Sequence, residues 1–157
     1  MKHYIGTKVV QAEPAFRVSA GDFKNVIHPK TYAVPEDRTG QTWEDGYKVT
    51  YSDGYESWSP KEVFEEAYRP TDGMNFGLAI EAAKRGERIA RKGWNGKNQY
   101  VELACCVSYM NSDQLIVNAD HKNIGNKALA FVGTSGVQLG WLASQADMLA
   151  EDWYIVE

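Results

Sequence analysis

A chain of 157 residues that is 43% hydrophobic can form one domain or two small ones and has enough apolar surface to pack a core, which argues against disorder. Its formal net charge of −4 excludes a generic nucleic-acid coat, which needs a basic surface. No apolar run approaches the roughly 20 residues of a membrane span.

Two cysteines, Cys105 and Cys106, are adjacent. Neighbouring cysteines rarely meet ordinary disulfide geometry, and these lie in an apolar run, so they read as small buried hydrophobes. Without a disulfide framework, and with a polar, charged stretch after Met1–Lys2 in place of a leader, the chain is expected in the cytosol of the cell that makes it.

In chain order, a short strand is expected near residues 7–12. Residues 13–45, punctuated by Pro14, Pro29, Pro35 and Gly40, read as long loops with room for one strand. "GYKVTYSDGYESWS" is a hairpin: Tyr47, Val49 and Tyr51 alternate with Lys48, Thr50 and Ser52, and Asp53-Gly54 suits a two-residue type I′ turn. That register sets Val49 opposite Trp58 and Tyr51 opposite Glu56. "SPKEVFEEAYRP" follows as a helix, with Ser59 as N-cap, Pro60 at the first helical position, Glu62 closing a capping box, and Val63, Phe64, Ala67 and Tyr68 on one stripe. "PTDG" at Pro70–Gly73 is a turn and the expected boundary between a unit over 1–70 and another over 74–157.

The second unit opens on an amphipathic helix in which Phe76, Ala79, Ile80 and Ala83 share a face, Asn75 is the cap and Gly86 the terminator. "ERIARKGW" reads as a short strand, "WNGK" as a turn through Asn95-Gly96, and "QYVELACCVSYM" as a long apolar strand. Residues 110–127 are a polar excursion with a short strand at Leu115–Val117. "ALAFV" and "VQLGW" form a hairpin around Gly133–Gly136. Ser144 caps a short helix with Asp147 as box partner, and "DWYIV" is a last strand inside a sheet, with Trp141, Leu149, Trp153 and Ile155 in the core. The fold class is α+β: an antiparallel sheet with a packed N-terminal helix, preceded by a small hairpin-plus-helix unit.

Catalytic constellations are thin. His3, His28 and His121 are scattered without metal-ligand spacing, and the chain has no P-loop and no Gly-x-Ser-x-Gly. No catalytic set, metal or cofactor is expected. Binding chemistry is richer. Lys84, Arg85, Arg88, Arg91, Lys92 and Lys97 face one acid, Glu87. Charge alone favours a solvated helix end and loop over an anion subsite. In "ARKGWNGK" an indole able to stack on a base stands beside cations able to pair with phosphate. The same segment reads equally well as a strand-end tryptophan filling the core beside a surface turn.

"MNFGLAIEAAKRGERIARKGWNGK" and, after a gap, "WLASQADMLAEDW" resemble the second family of phage Thoeris anti-defence proteins. Those proteins carry an N-terminal helix with Phe and Ala on its face, a "GWNGK" turn, and a C-terminal W-x-x-S-Q-x-D-x-x-A-x-D-W run. The resemblance covers Met74–Val156, leaves 103–127 unaligned, and excludes residues 1–70. It implies a sponge that binds cyclic nucleotide immune signals, glycocyclic ADP-ribose isomers and in some members cyclic dinucleotides. The signal is held uncleaved in pockets between the subunits of a homotetramer, in the cytoplasm of the infected bacterium. No DNA, RNA or membrane partner is implied. Carried onto this chain, the ligand-binding candidates are Phe76, Arg91, Trp94, Asn95, Lys97, Ser144, Gln145 and Asp147. Backbone N–H groups over Ser144–Ala146 are positioned to meet an anion, whereas Asp147 reads first as the capping-box acid. The alternative from another class is a phage structural or protein-interaction module whose aromatics serve core and interface. A hydrolase of the same signals is a weaker third reading.

Overall fold

Residues 2, 6–18, 31–32, 43–122 and 127–157 are described by a computed structural model. The chain divides into two units, Met1–Arg69 and Pro70–Glu157. The expectations for residues 19–30 and 33–42, with Pro29, Pro35 and Gly40, lie outside the described residues, as do His3 and His28.

In the first unit, β1 (Gln11–Val18), β2 (Thr31–Tyr32), β3 (Trp43–Thr50) and β4 (Glu56–Pro60) form an antiparallel sheet in the order β2-β1-β3-β4, followed by α1 (Lys61–Ala67). β1 therefore overlaps only the end of the strand expected near residues 7–12 and runs on through residues 13–18 of the stretch read as loops with room for one strand. The whole length of β1 pairs with β3, and β2 meets β1 only at Phe16 and Arg17. Among the described residues, Pro14 thus has a paired strand on one side only, where a missing N–H donor is tolerated.

The Asp53-Gly54 turn exists, but its loop has three residues. Gly54 N donates to Tyr51 O at 2.9 Å, Tyr51 N donates to Tyr55 O at 2.9 Å, and Gly54 alone takes positive φ, +83°. A type I′ turn would also force Asp53 to positive φ. A type I turn closed by a left-handed glycine avoids that cost. The register shifts by one residue, so Lys48 faces Trp58 and Val49 faces Ser57. Such a shift moves Trp58 to the face opposite Val49. There its ring lies over Gly46, where any Cβ would collide with it. The Arg17 guanidinium sits 4.1 Å from the ring centre.

The helix cap also differs from expectation. Ser59 and Pro60 remain in β4, which runs straight into α1, and Pro60 occupies the cap position without a side-chain bond. The Ser59–Glu62 box therefore does not form. Phe64 stacks on Tyr47 at 4.3 Å and on Tyr68 at 4.8 Å, and Tyr47 shares a face of β3 with the buried Val49. Val63 and Ala67 of the expected stripe are exposed.

In the second unit, α2 (Phe76–Lys84) starts where Asn75 Oδ1 accepts from Leu78 N at 2.9 Å and ends before Gly86 at φ +97°. The helix lays Ala79 and Ala83, both fully buried, on an antiparallel sheet of β5 (Ile89–Arg91), β6 (Tyr100–Ala104), β9 (Ala128–Gly133), β10 (Gly136–Leu139) and β11 (Trp153–Ile155), ordered β10-β9-β6-β5-β11. Between β6 and β9 the chain makes a separate small hairpin, β7 (Tyr109–Met110) with β8 (Ile116–Val117), and α3 (Gln145–Met148) precedes β11. Met74, Ala79, Ala83, Ile89, Val101 and Trp153 form the core.

Strand β11 is last in sheet order, yet its outer edge is covered. Met74 and Trp153 exchange backbone hydrogen bonds of 2.8 and 3.1 Å, and Ile155 N donates to Thr71 O at 3.0 Å. The segment from Thr71 to Met74 is thereby tied to the second unit.

Two expectations fail here. The apolar run 99–110 leaves the sheet at Ala104. Cys105 and Cys106 are exposed instead of buried, and Cys106 takes φ +56° as the chain turns toward β7. Leu149 is 79% exposed. In a one-turn helix whose Asp147 points inward, a residue two positions on points about 200° away.

Candidate functional site

The C-terminal block builds the site through its cap. Ser144 Oγ accepts from Asp147 N at 3.1 Å, while Asp147 Oδ2 accepts from Ser144 N at 3.0 Å and from Ser144 Oγ at 2.7 Å. This capping box turns Asp147 inward, where it is 8% exposed. Its second oxygen, Oδ1, accepts from Arg91 Nη1 and from Trp94 Nε1, both at 2.9 Å. Its backbone carbonyl accepts from the Trp153 indole at 3.0 Å.

Asp152 makes the second half of a clamp. Pairing of β11 with β5 sets Trp153 opposite Arg91, which brings Asp152 beside the turn leaving β5. Asp152 Oδ1 accepts from Arg91 Nε at 2.8 Å, and Oδ2 from Gly93 N at 2.8 Å. With the Arg91 side chain 17% and the Asp147 side chain 12% exposed, this ion pair is screened less than a surface bridge.

The electrostatics follow. Burial pushes the Asp147 pKa up, but the hydrogen bonds from Ser144, Trp94 and Arg91 outweigh it and hold the group at about 2. Asp152 is also lowered, chiefly by its hydrogen bond from Arg91. Arg91 is raised by Asp152 first and Asp147 second. Both acids are ionised acceptors already committed to protein donors, which leaves them poorly placed as cation ligands or general bases.

Trp94 is half-buried. Its ring meets Phe131 at 5.6 Å, Trp141 at 6.1 Å and Trp153 at 5.4 Å, all edge to face. It is thus part of the core packing, and it also lines an open groove. That groove, about 320 Å³ in volume, is bounded by Arg91, Lys92, Trp94, Gly96, Asn98 and Gln99 from the β5–β6 connection, with Asp72 and Tyr154. Gln99 lies so close over Gly96 that a Cβ there would displace its amide. The left-handed residue of this connection is Asn98, φ +57°, so the turn sits later than Asn95-Gly96.

Of the residues expected at a site, Arg91 and Trp94 line the groove, and Asp147 joins them from behind. Asn95 and Lys97 are exposed beside the groove lining without belonging to it. Ser144 and Gln145 are exposed at the start of α3. Phe76 packs against Trp153 at 5.6 Å and is half-buried. Of the helix-start N–H groups expected to meet an anion, Ser144 N is taken by Asp147 Oδ2, and next to them Asp147 N is taken by Ser144 Oγ. Much of the basic run is partnered as well: Lys84 by Glu81, Arg88 by Glu102, and Lys92 by Asp72 at a loose 4.0 Å. Asp152, Asp72, Asn98, Gln99 and Tyr154 were not among the residues expected from the sequence, and Lys92 entered only as one of the cations of the basic run. The signal for Asp152 was an acid one residue before a strand able to pair with the Arg91 strand.

Residues 74–156 match the family model described as the Thoeris anti-defense 2-like domain. Over 87 residues the chain is 38% identical to Thoeris anti-defense 2 of Bacillus phage SP01, an alignment that covers 53% of this chain and 94% of that relative.

Proposed function

Because the chain belongs to the Thoeris anti-defense 2-like family, and so is a phage anti-defense protein, we propose that it works by binding a cyclic nucleotide immune signal and holding it uncleaved. The observation that carries this reading is the groove, where an indole, a clamped guanidinium and a lysine meet. Arg91 uses Nε and Nη1 on the two carboxylates, which leaves Nη2 for a phosphate oxygen. Lys92 is 57% exposed and held only loosely by Asp72, so a phosphate can replace that partner. The part of Trp94 that lines the groove offers an aromatic surface for a base. Asn98, Gln99 and Tyr154 supply polar groups for a ribose or a base edge.

A groove of about 320 Å³ stands at the low end for small-molecule sites and is open. This favours a pocket closed by a second copy in a homotetramer, with Asn95, Lys97, Ser144 and Gln145 reaching the ligand from the same or a neighbouring chain. Val137, Leu139, Leu142 and Leu149 of the second unit are 51–88% exposed, which suits burial between copies. Phe76 belongs to this site as the packing beneath it. Sequestration requires no catalytic group, and we assign none. The protein would act in the cytoplasm of the infected host.

Incubation with glycocyclic ADP-ribose, removal of free ligand, heating and mass analysis of what is released test the reading. Intact ligand supports sequestration, while a cleavage product points to a hydrolase. Release of nothing points to a protein-interaction module, a reading favoured by Tyr109, Met110, Leu115 and Ile116, which the β7–β8 hairpin leaves 58–65% exposed.

A further inference from the structure

We infer that Asp147 is a positioning residue for the groove: one of its carboxylate oxygens anchors the start of α3 while the other fixes the groove's cation and aromatic in a single arrangement. The inference rests on the ligand-binding reading above for its affinity measurement only.

The division between the two oxygens is complete. Oδ2 receives Ser144 N and Ser144 Oγ, both belonging to the cap. Oδ1 receives Arg91 Nη1 and Trp94 Nε1, which come from the β5–β6 connection. A capping box needs the Oδ2 side alone. The Oδ1 side does something a cap does not require, because it ties together the two side chains that give the groove its charge and its ring. Asp147 does not itself line the groove. It acts through Arg91 and Trp94, whose orientations it sets. Asp152 holds the Arg91 side chain through Nε and the backbone at Gly93 N, whereas Asp147 bonds the Arg91 and Trp94 side chains together. A long cation and a large ring held in place before ligand arrives lose less freedom on binding.

An amide cannot replace this carboxylate. Asparagine has one acceptor oxygen and one NH2 group. Whichever way it turns, the NH2 faces donors: the Ser144 N–H on one side, or the Arg91 and Trp94 N–H groups on the other. Ser144 Oγ can rotate to accept, but the N–H groups cannot. Ser144→Ala, by contrast, removes a hydroxyl from the Oδ2 side and leaves both Oδ1 contacts.

The experiment compares the full-length wild type with S144A and D147N, using calorimetry with glycocyclic ADP-ribose and NMR hydrogen exchange of the Trp94 indole proton. S144A should melt earlier yet keep the Trp94 indole proton protected to within about twofold of wild type, because both Oδ1 contacts remain. D147N should bind at least about tenfold more weakly and expose the Trp94 indole proton to faster exchange. D147N binding within about twofold of wild type, with indole protection unchanged, would overturn the inference and leave Asp147 a cap alone. If the wild type does not bind the probe, the ligand reading fails, and the indole exchange in D147N still decides the positioning role. If D147N does not fold, wild type and S144A decide it. Slow indole exchange in both supports positioning, and exchange as fast as free indole in wild type refutes it.

Discussion

Acid should unfold the second unit through Asp147, and the size of the effect can be worked from its surroundings. The folded pKa is about 2 against an ordinary 3.8, because hydrogen bonds from Ser144, Trp94 and Arg91 outweigh the cost of burial. A group whose pKa is depressed on folding contributes stability that is complete above its unfolded value and is lost as pH falls through its folded value. The window is therefore from about pH 4 down to about pH 2. At about 1.36 kcal/mol per unit, the contribution is on the order of 2 kcal/mol. Asp152 shifts in the same direction but is 32% exposed, so solvent screening makes its share smaller. Urea denaturation followed by tryptophan fluorescence, repeated at intervals between pH 5 and pH 2 for wild type and D147N, isolates the term, because the other carboxylates cancel in the difference. At pH 5 the wild type should be more stable by about 2–3 kcal/mol. By pH 2 the gap should have closed by about 2 kcal/mol. A gap that stays constant across this range would refute the clamp as an ionised hydrogen-bonded unit.

Trp94→Ala should do two things at once. It should lower glycocyclic ADP-ribose affinity by about 1–3 kcal/mol by calorimetry, and it should destabilise the fold by about 3 kcal/mol in chemical denaturation, since the ring packs against Phe131, Trp141 and Trp153. Unchanged stability would contradict the packing. A fragment starting at Pro70 should be more stable than one starting at Met74 by about 1 kcal/mol, because the shorter piece lacks the Thr71 carbonyl that accepts from Ile155 N. Equal urea midpoints would show that this contact contributes nothing. Leu142→Glu combined with Leu149→Glu should shift the light-scattering mass toward the monomer while the circular dichroism spectrum stays the same, as these side chains are 88% and 79% exposed in the single chain. A mass unchanged from wild type would place the subunit contact elsewhere.

Where the physics is local, the sequence by itself determined the structure. The Asn75 cap, the Gly86 stop, the Ser144–Asp147 box and the Gly133–Gly136 hairpin each close within four residues, and a side chain's reach over that distance hardly depends on the rest of the fold. Arg91 and Trp94 stood out for the same reason, as a cation and a ring in one short segment. Where several local solutions lay close in energy, tertiary structure chose among them. The Asp53-Gly54 signal fits a two-residue or a three-residue loop, and the sheet around it selected the register that puts Trp58 over Gly46 and beneath Arg17. Pro14 argues against a strand until β3 supplies a partner along its whole length. Leu149 and the two cysteines sit in apolar runs, and only the direction of α3 and the exit from β6 decide that they face outward. The site shows the division most clearly. Asp147 and Asp152 lie 56 and 61 residues from Arg91, and no local pattern relates them. The pairing of β11 with β5 brings them to one guanidinium, because hydrogen-bond register between strands distant in sequence is decided by burial of the shared core and not by the residues of either strand alone.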